Sequence, residues 1–496
     1  MIIPSALRAL RRLVALAAAL AGAIVALHYH RLGLTLTHYD ARGHLVVARR
    51  IVDSITPGWQ QVGAVWLPLP HLLNALPVQL DIFYRTGASA VAISIASFAI
   101  ATAAIASIVM AITGSAPASI AAAAVFALNP NVLYLQSTPM TEPLLLALTT
   151  VSVAVLIDPS RRGAALAGWL FALACLTRYE AWPVTAAALV AAVWIEWRRG
   201  NSFSVALRSA AAIALYPAVA IAAFIIFSRV VVGEWFVASG FFVPENKALR
   251  DPVMAAAEIW WGAHMLSGYA IVLLGAAGVA ALAAIGVFDR QRPEALAVVA
   301  LAATAVIPWA AFLEGHPFRI RYIVPLIAIE AIGAGVVAGL VRRWHIAGAI
   351  LVAAIAAYEL RPVDSHAPMV VEAQWDRPNV PARAQVTACL PQPGSGEKIM
   401  ASMGSLGHYM QEASRSGFSI RDFLHEGNGD IWLAALDHPQ LFVNWILIEE
   451  KAEGGDMLAR LAREHPAFLS GYSRACEAAG LVLYKRDALR SFRIEN

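Results

Sequence analysis

Charge is what this sequence has least of. Only 14% of its 496 residues are Asp, Glu, Lys or Arg, against about 25% in a soluble globular chain. A basic stripe is missing as well. The net charge is +4, but the arginines come in pairs between apolar segments, which excludes a nucleic-acid partner. There is no internal repeat and no Asn-x-Ser/Thr acceptor. The first absence speaks against the repeated halves of a transporter. The second favours a bacterial plasma membrane over the secretory pathway. Cysteine is down to three residues, and Cys175 falls in an apolar run as a small packing residue. That leaves Cys389 and Cys476, either free or joined in a single disulfide. What the chain does have is apolar surface: 59% hydrophobic residues and a mean hydropathy of +0.64. These values place it in the membrane class.

Apolar stretches near the ~20 residues that cross hydrocarbon recur along most of the chain. They fall at 7–27, 86–112, 117–137, 141–157, 163–177, 181–197, 205–228, 264–287, 295–313, 322–341 and 345–358, about eleven spans in all. The first run, Ser5–Leu27, has the basic start of a signal peptide. Its length and the polytopic remainder favour an uncleaved first helix. Arg8/Arg11/Arg12, Arg161/Arg162, Arg198/Arg199, Arg290/Arg292 and Arg342/Arg343 all fall on connections of one side. Short Arg-rich loops stay in the cytoplasm, so the N-terminus is expected inside and the C-terminus outside. The external connections are the long ones, and they carry the Asp, Glu, His, Trp and Tyr residues. Any chemistry is therefore expected on the outer face.

After Tyr358 the composition changes. Residues 359–396 are rich in Pro and polar groups and read as an external linker. From Glu397 strand and helix patterns alternate: KIMASM, LFVNWILIEE and GLVLYKR as strands, GSLGHYMQEASRS and DMLARLAREHP as helices. The expected architecture is mainly α. A polytopic helical bundle over 1–358, with a first external loop at 28–85, is followed by a small extracytoplasmic α/β domain over 397–496.

The external loops hold the candidate site residues. Asp40, in THYDARGH just after the first span, reads as a helix N-cap, and a cap is compatible with a catalytic role. The stretch ARGHLVVARRIVDSI has helical apolar spacing and is expected to lie on the membrane surface. Arg42, Arg49, Arg50 and Asp53 would then face water or headgroups. His71 lies in the Trp- and Pro-rich return to the membrane. Glu142 starts a helix in QSTPMTEPLLLAL, where dipole complementarity alone would explain it. Arg178 and Glu180, in LTRYEAWP, can pair locally. Arg319 and Arg321, in EGHPFRIRYIVPL, lie at an outer boundary, against the positive-inside tendency. A guanidinium there suits a phosphate, being planar, always charged and multidentate.

An Asp-bearing first external loop, the PLPHLL return, ALNPNVLYLQSTPMTEPLLLAL, LACLTRYEAWP and FRIRYIVPL together resemble the GT-C glycosyltransferase superfamily. They are most similar to the branch with protein O-mannosyltransferases and the lipid A aminoarabinose transferase, glycosyltransferase family 39-like. The resemblance covers about residues 1–358 and rests on the order of the motifs; the tail is similar in placement only. It implies a polyprenyl-phosphate sugar donor, an unknown glycan, lipid or protein acceptor, and catalysis without cofactor or metal. His38, Asp40 and His44 are the residues that could hold a divalent ion, and none is expected there. Family members often carry Asp-Glu or Asp-Asp in this loop. Here Ala41 follows Asp40, which leaves Asp40 as the sole general-base candidate and puts the acceptor type in doubt. Glu142, Arg178, Glu180, Arg319, Arg321, Tyr322, His71 and His44 are the implied substrate contacts. The alternative readings are a transporter or flippase of a lipid-linked or polar substrate, and a non-catalytic sensor or assembly factor whose external domain binds a ligand.

Overall fold

Lipid offers no hydrogen bonds, so a chain that crosses it must satisfy its own backbone, and this one does so with helices. A computed structural model describes residues 4–158, 164–235, 246–451 and 455–487. Arg161 and Arg162 lie outside the described residues. Six helices are long and apolar enough to cross a membrane by length and composition: Arg8–Arg31, Ala88–Thr113, Phe203–Val232, Tyr269–Phe288, Ala295–Leu313 and Ile320–Leu340. Shorter apolar helices occupy Ala116–Ala127, Glu142–Ile157, Ala164–Cys175 and His345–Glu359, and Ala181–Arg198 completes the eleven expected segments. Segment 117–137 breaks in two. Asn129 caps a separate helix, Pro130–Leu135, with its side chain accepting from the Asn131 and Val132 amides. Proline at the first helical turn prevents the preceding helix from continuing through.

The described residues divide into two compact units. The first comprises the chain through Thr35, Ala64–Pro70 and Ser89–Glu372. Several of its hydroxyls are satisfied within their own helices: Thr102 donates to Phe98 O, Thr113 to Val109 O and Thr150 to Leu146 O, at 2.7, 2.7 and 2.6 Å. Tyr269–Phe288 crosses Leu326–Leu340 backbone to backbone. A Cβ on Gly278 would fall on the backbone of Gly333, and one on Gly333 would fall on that of Gly275. Small residues at a crossing let two helices approach where lipid gives no hydrophobic drive.

The second unit comprises Leu36–Gly63, His71–Ala88 and the chain from Ala373 onward. Its sheet has the order β2-β1-β3-β5-β4, with β1 Ile399–Ala401, β2 Phe423–Leu424, β3 Trp445–Glu449, β4 Tyr472–Ala478 and β5 Leu481–Arg486. β1 runs parallel to β2 and β3, while β5 is antiparallel to β3 and β4. Parallel neighbours require crossover helices, here Met403–Ala413 and Asp430–Asp437. The core gathers Met400, Leu424, Trp432, Ile446, Ile448 and Leu458, and Ile55 of the first loop packs against it. The stretch from Ala373 to Gly396 is partly helical, through Val380–Cys389.

Cys389 and Cys476 form a disulfide across 87 residues, tying that helix to edge strand β4. Reduction, or Cys389→Ser, is expected to destabilise the second unit by roughly 3–5 kcal/mol, as loss of so long a closed loop implies. A lowered thermal midpoint under dithiothreitol that is not lowered further in Cys389→Ser would check this.

The helix Tyr39–Arg50 corrects two expectations. Its N-cap is His38, whose Nδ1 accepts from the Asp40 amide at 3.1 Å, so Asp40 sits in the first turn and is not the cap. Nor do Arg42, Arg50 and Asp53 face water; all three are buried. Arg42 pairs with Glu412 at 3.4 Å. Asp53 accepts from Arg49 and from Arg421, each at 2.9 Å, and from the amides of Ile420 and Arg421. Burial works to raise the Asp53 pKa, but the bonds from Arg49 and Arg421 outweigh it and hold the group below its ordinary value. The amphipathic spacing was legible. What covers the polar face comes from residues some 370 positions away, beyond the reach of any local pattern.

Glu449, ending β3, is pushed by burial from the ordinary 4.5 up to about 7, with Arg383 opposing. A raised carboxyl binds its proton more tightly in the folded state, so its contribution is full below the unfolded pKa and is lost as pH rises through the folded one. Stability of the second unit should therefore fall between pH ~4.5 and ~7 from this group. Glu449→Gln should flatten that slope in thermal melts across the range.

Candidate active-site residues

The nine candidate residues fall into two groups, one in each unit. In the second unit, Asp40 and His44 stand one turn apart on the same face of Tyr39–Arg50. His44 Nδ1 meets His71 Nε2 at 3.0 Å, with both rings buried. One ring must donate and the other accept, so their tautomers are linked. The sequence put these histidines 27 residues apart in different motifs, and only the fold joins them. Asp40 is itself buried, in the first turn, where the helix dipole favours its negative form.

In the first unit, Arg178 lies in the turn between Ala164–Cys175 and Ala181–Arg198. Its guanidinium donates to Glu180 Oε1 from Nε at 3.1 Å and Nη2 at 2.6 Å. From Nη1 it donates to Glu142 Oε1 at 2.9 Å and Thr141 Oγ1 at 3.1 Å. The side chains of Arg178, Glu142 and Glu180 are 13, 0 and 6% exposed. Burial works against the Arg178 charge, yet the two carboxylates outweigh it and hold the group protonated well above its ordinary range. Glu142 is thus more than a dipole partner at a helix start, and Glu180 pairs with Arg178 as local spacing allowed. Thr141 was not foreseen, although it directly precedes Glu142.

The stretch FRIRYIVP brings further groups to Arg178. Arg319 is extended, and Ile320–Ile323 forms a 3-10 turn ahead of Leu326–Leu340. The Tyr322 ring centroid lies 6.0 Å from Arg178 Cζ and 5.0 Å from Arg321 Cζ. Arg321 Nη2 donates to the Tyr322 hydroxyl at 3.4 Å, and that hydroxyl lies 3.5 Å from His316 Nε2. Arg319 is buried in the same stretch. Tyr322 therefore presents its face to two guanidinium groups, a cation–π arrangement that fixes both. The result is a buried cluster of alternating charge that can hold a polar, oxygen-rich group.

One carboxylate went unnoticed in the sequence. Glu330 lies within Ile320–Leu340 and accepts from Ser267 Oγ at 2.5 Å. An ionisable group inside a membrane segment is costly and usually functional. Its lone position in an apolar run gave no pattern to read.

The class of protein that this architecture defines is an integral membrane protein, a polytopic helical fold with a small sheet-bearing C-terminal part. Two solved structures of one protein share the whole fold. ArnT from Cupriavidus metallidurans in the apo state superposes with a TM-score of 0.57 at 13% identity, over 93% of this chain and 97% of that one. The same protein bound to undecaprenyl phosphate gives 0.58 at 13% identity, with the same coverage. No family model and no curated protein matches the sequence.

Proposed function

We propose that the chain is a membrane glycosyltransferase that moves a sugar from a polyprenyl phosphate to an acceptor hydroxyl on the extracytoplasmic face. The observation that carries the reading is the end-to-end fold likeness to ArnT, one of whose structures holds undecaprenyl phosphate. Fold alone does not assign chemistry. The buried Glu142–Arg178–Glu180 and Arg321–Tyr322 cluster supports the reading, because it supplies cations and hydroxyl-binding carboxylates together.

In this mechanism Asp40 accepts the proton of the acceptor hydroxyl as that oxygen attacks the anomeric carbon. The bond from that carbon to the phosphate oxygen breaks on the opposite face, inverting the configuration, and the polyprenyl phosphate leaves with the electron pair. Arg178 is already held by two carboxylates, so we assign it to positioning Glu142 and Glu180, which bind sugar hydroxyls. Arg319 and Arg321 stabilise the departing phosphate, the kind of electrostatic term that often dominates catalysis. Tyr322 orients Arg321. His44 and His71 serve as linked proton-sharing contacts on the Asp40 side. The disulfide supports an oxidising compartment for the second unit, in agreement with the Arg-rich connections assigned to the cytoplasm.

The test is donor consumption. Purified protein should turn over at least one member of a panel of polyprenyl-phosphate sugars when a mixed acceptor fraction is supplied. Absence of turnover across the panel, together with two-sided flux of lipid-linked sugar in vesicles, would replace this reading by that of a transporter.

A further inference from the structure

Three buried groups of the second unit take no part in the proposed chemistry: Arg50, Gln61 and His425. Arg50 ends the helix whose first turn holds Asp40, ten residues and about 15 Å further along the axis. It is 7% exposed. Its one hydrogen bond to protein among the described residues runs from Nε to Gln61 O at 2.5 Å, and no carboxylate of those residues pairs with it. Burial draws its pKa down to about 10, with Glu426 opposing. A buried guanidinium without a carboxylate costs several kcal/mol unless something else meets it.

His425 follows β2 and is 0% exposed. Its Nδ1 accepts from the Gly427 amide at 3.1 Å. A neutral imidazole whose Nδ1 accepts carries its hydrogen on Nε2. That N–H is buried and finds no acceptor among the described residues. Burial, then the nearby Arg50, keeps the ring neutral by pushing its pKa well below 6.5. Gln61 is oriented by its amide nitrogen, which donates to Thr56 O at 2.8 Å and Gly427 O at 2.7 Å. Its carbonyl Oε1 is then the free end, buried and with no donor among the described residues.

These ends converge around two glycines. A Cβ on Gly427 would lie 2.7 Å from Gln61 Oε1 and 2.9 Å from His425 Cε1, and one on Gly63 would lie 3.0 Å from Arg50 Nη2. Side chains are thus absent at the two points where they would crowd the guanidinium, the imidazole and the amide oxygen. The Gln61 amide oxygen and the His425 ring edge flank the Gly427 point, and the Arg50 guanidinium, bonded through Nε to Gln61 O, flanks the Gly63 point.

We propose that Arg50, His425 and Gln61 form a binding site for a phosphate monoester or hydrogen phosphate, distinct from the glycosyl-transfer residues and independent of that reading. Arg50 and the His425 Nε2–H donate to the anionic oxygens, and Gln61 Oε1 accepts from the P–OH. A plain carboxylate offers no hydroxyl to Gln61 and binds more weakly. The phosphate can come from a soluble ester or from a lipid headgroup, and one experiment separates them.

The full chain, purified in neutral detergent, is titrated calorimetrically at pH 7 with inorganic phosphate, and with acetate at matched ionic strength. In a second arm, mixed micelles containing a phosphatidate are added without free phosphate. Saturable binding at one site per chain is expected, weaker for acetate. Arg50→Gln and Gly427→Ala should each weaken it by about tenfold or more, as loss of a charge-assisted contact implies, while Asp40→Asn binds like the wild type. Binding of inorganic phosphate identifies a soluble ligand; binding of phosphatidate micelles alone identifies a headgroup. Gly427→Ala keeps every charge, and Arg50→Lys keeps the cation, so these two decide the matter should Arg50→Gln fail to fold. Arg50→Lys should bind less tightly than the wild type, since an ammonium cannot reproduce the planar fork. The proposal is overturned if the wild type binds neither phosphate probe, or if Gly427→Ala and Arg50→Lys both bind phosphate as tightly as the wild type.

Discussion

Asp40→Asn is expected to reduce sugar transfer by about 10²–10⁴-fold, the usual worth of a positioned proton acceptor. The substitution is nearly isosteric, so the packing around this buried side chain is kept, and an amide in the first turn forfeits only the charge–dipole term of ~0.3–1 kcal/mol. The amide has no basic lone pair at neutral pH, so the acceptor hydroxyl would have to attack while still protonated. Loss should therefore appear in kcat, with donor affinity and expression nearly unchanged. The measurement is single-turnover transfer beside equilibrium donor binding. Full activity in the variant would remove Asp40 from the mechanism, and an equal loss of donor binding would recast it as a binding group. Ala41, the next residue in the chain, has no carboxylate with which to take over in the variant.

Arg383→Leu should be the most destabilising single change in the second unit, costing about 3–5 kcal/mol. Arg383 is 1% exposed at its side chain and holds both oxygens of Asp376 at 2.6 Å and Glu412 at 2.9 Å. Removing the guanidinium leaves two half-buried carboxylates with weaker cations in reach: Arg42 at 3.4 Å from Glu412 and His408 at 3.9 Å from Asp376. With Arg383 present, burial, and after it the charge of Arg383, pushes the His408 pKa down to about 3; burial, the larger cause, stays in the variant and still opposes its charging. The thermal midpoint should drop by roughly 10 °C. Arg383→Lys should lie between, since one ammonium cannot serve three acceptors in a plane. The sign with pH follows from Asp376. Burial would raise its pKa, but the bonds from Arg383 hold it below the ordinary carboxylate value. Its stabilising contribution is therefore present above that ordinary value and lost as pH falls through the folded one. The acid limb of the stability profile below pH ~4 should weaken in Arg383→Leu. An unchanged midpoint would show that the network adds nothing net to the fold.

The membrane segments were legible because the signal is local. A run near 20 apolar residues has few other fates: of the eleven runs, six became helices long and apolar enough to cross a membrane and the other five became further helical segments, the run at 117–137 broken in two. The strands KIMASM, LFVNWILIEE and GLVLYKR were legible for the same reason, as short apolar runs bounded by polar residues. β4 was not, because SRACEA sets Ser, Arg and Glu among small residues and holds no large apolar one; it is an edge strand whose side chains are largely exposed. Of the candidate residues, Arg178 and Glu180 could be paired from their spacing alone. Their bond to Glu142 could not, nor the closeness of Tyr322 to two arginines, nor the contact between His44 and His71. Those distances depend on how helices stack, which sequence separation does not encode.

By itself, then, the sequence determined that this chain is a polytopic helical membrane protein with an α/β tail, and it offered a set of candidate residues in the loops. Hydrophobic length and period are enough for that, since water and lipid sort residues one segment at a time. Only the tertiary structure decided that residues Leu36–Gly63 and His71–Ala88 fold with the C-terminal part. It also decided that Arg42, Arg50 and Asp53 turn inward, and that Arg50, Gln61 and His425 gather in one place. A buried charge must be met by a partner, and that partner is supplied by whatever the fold brings near, however distant in the chain.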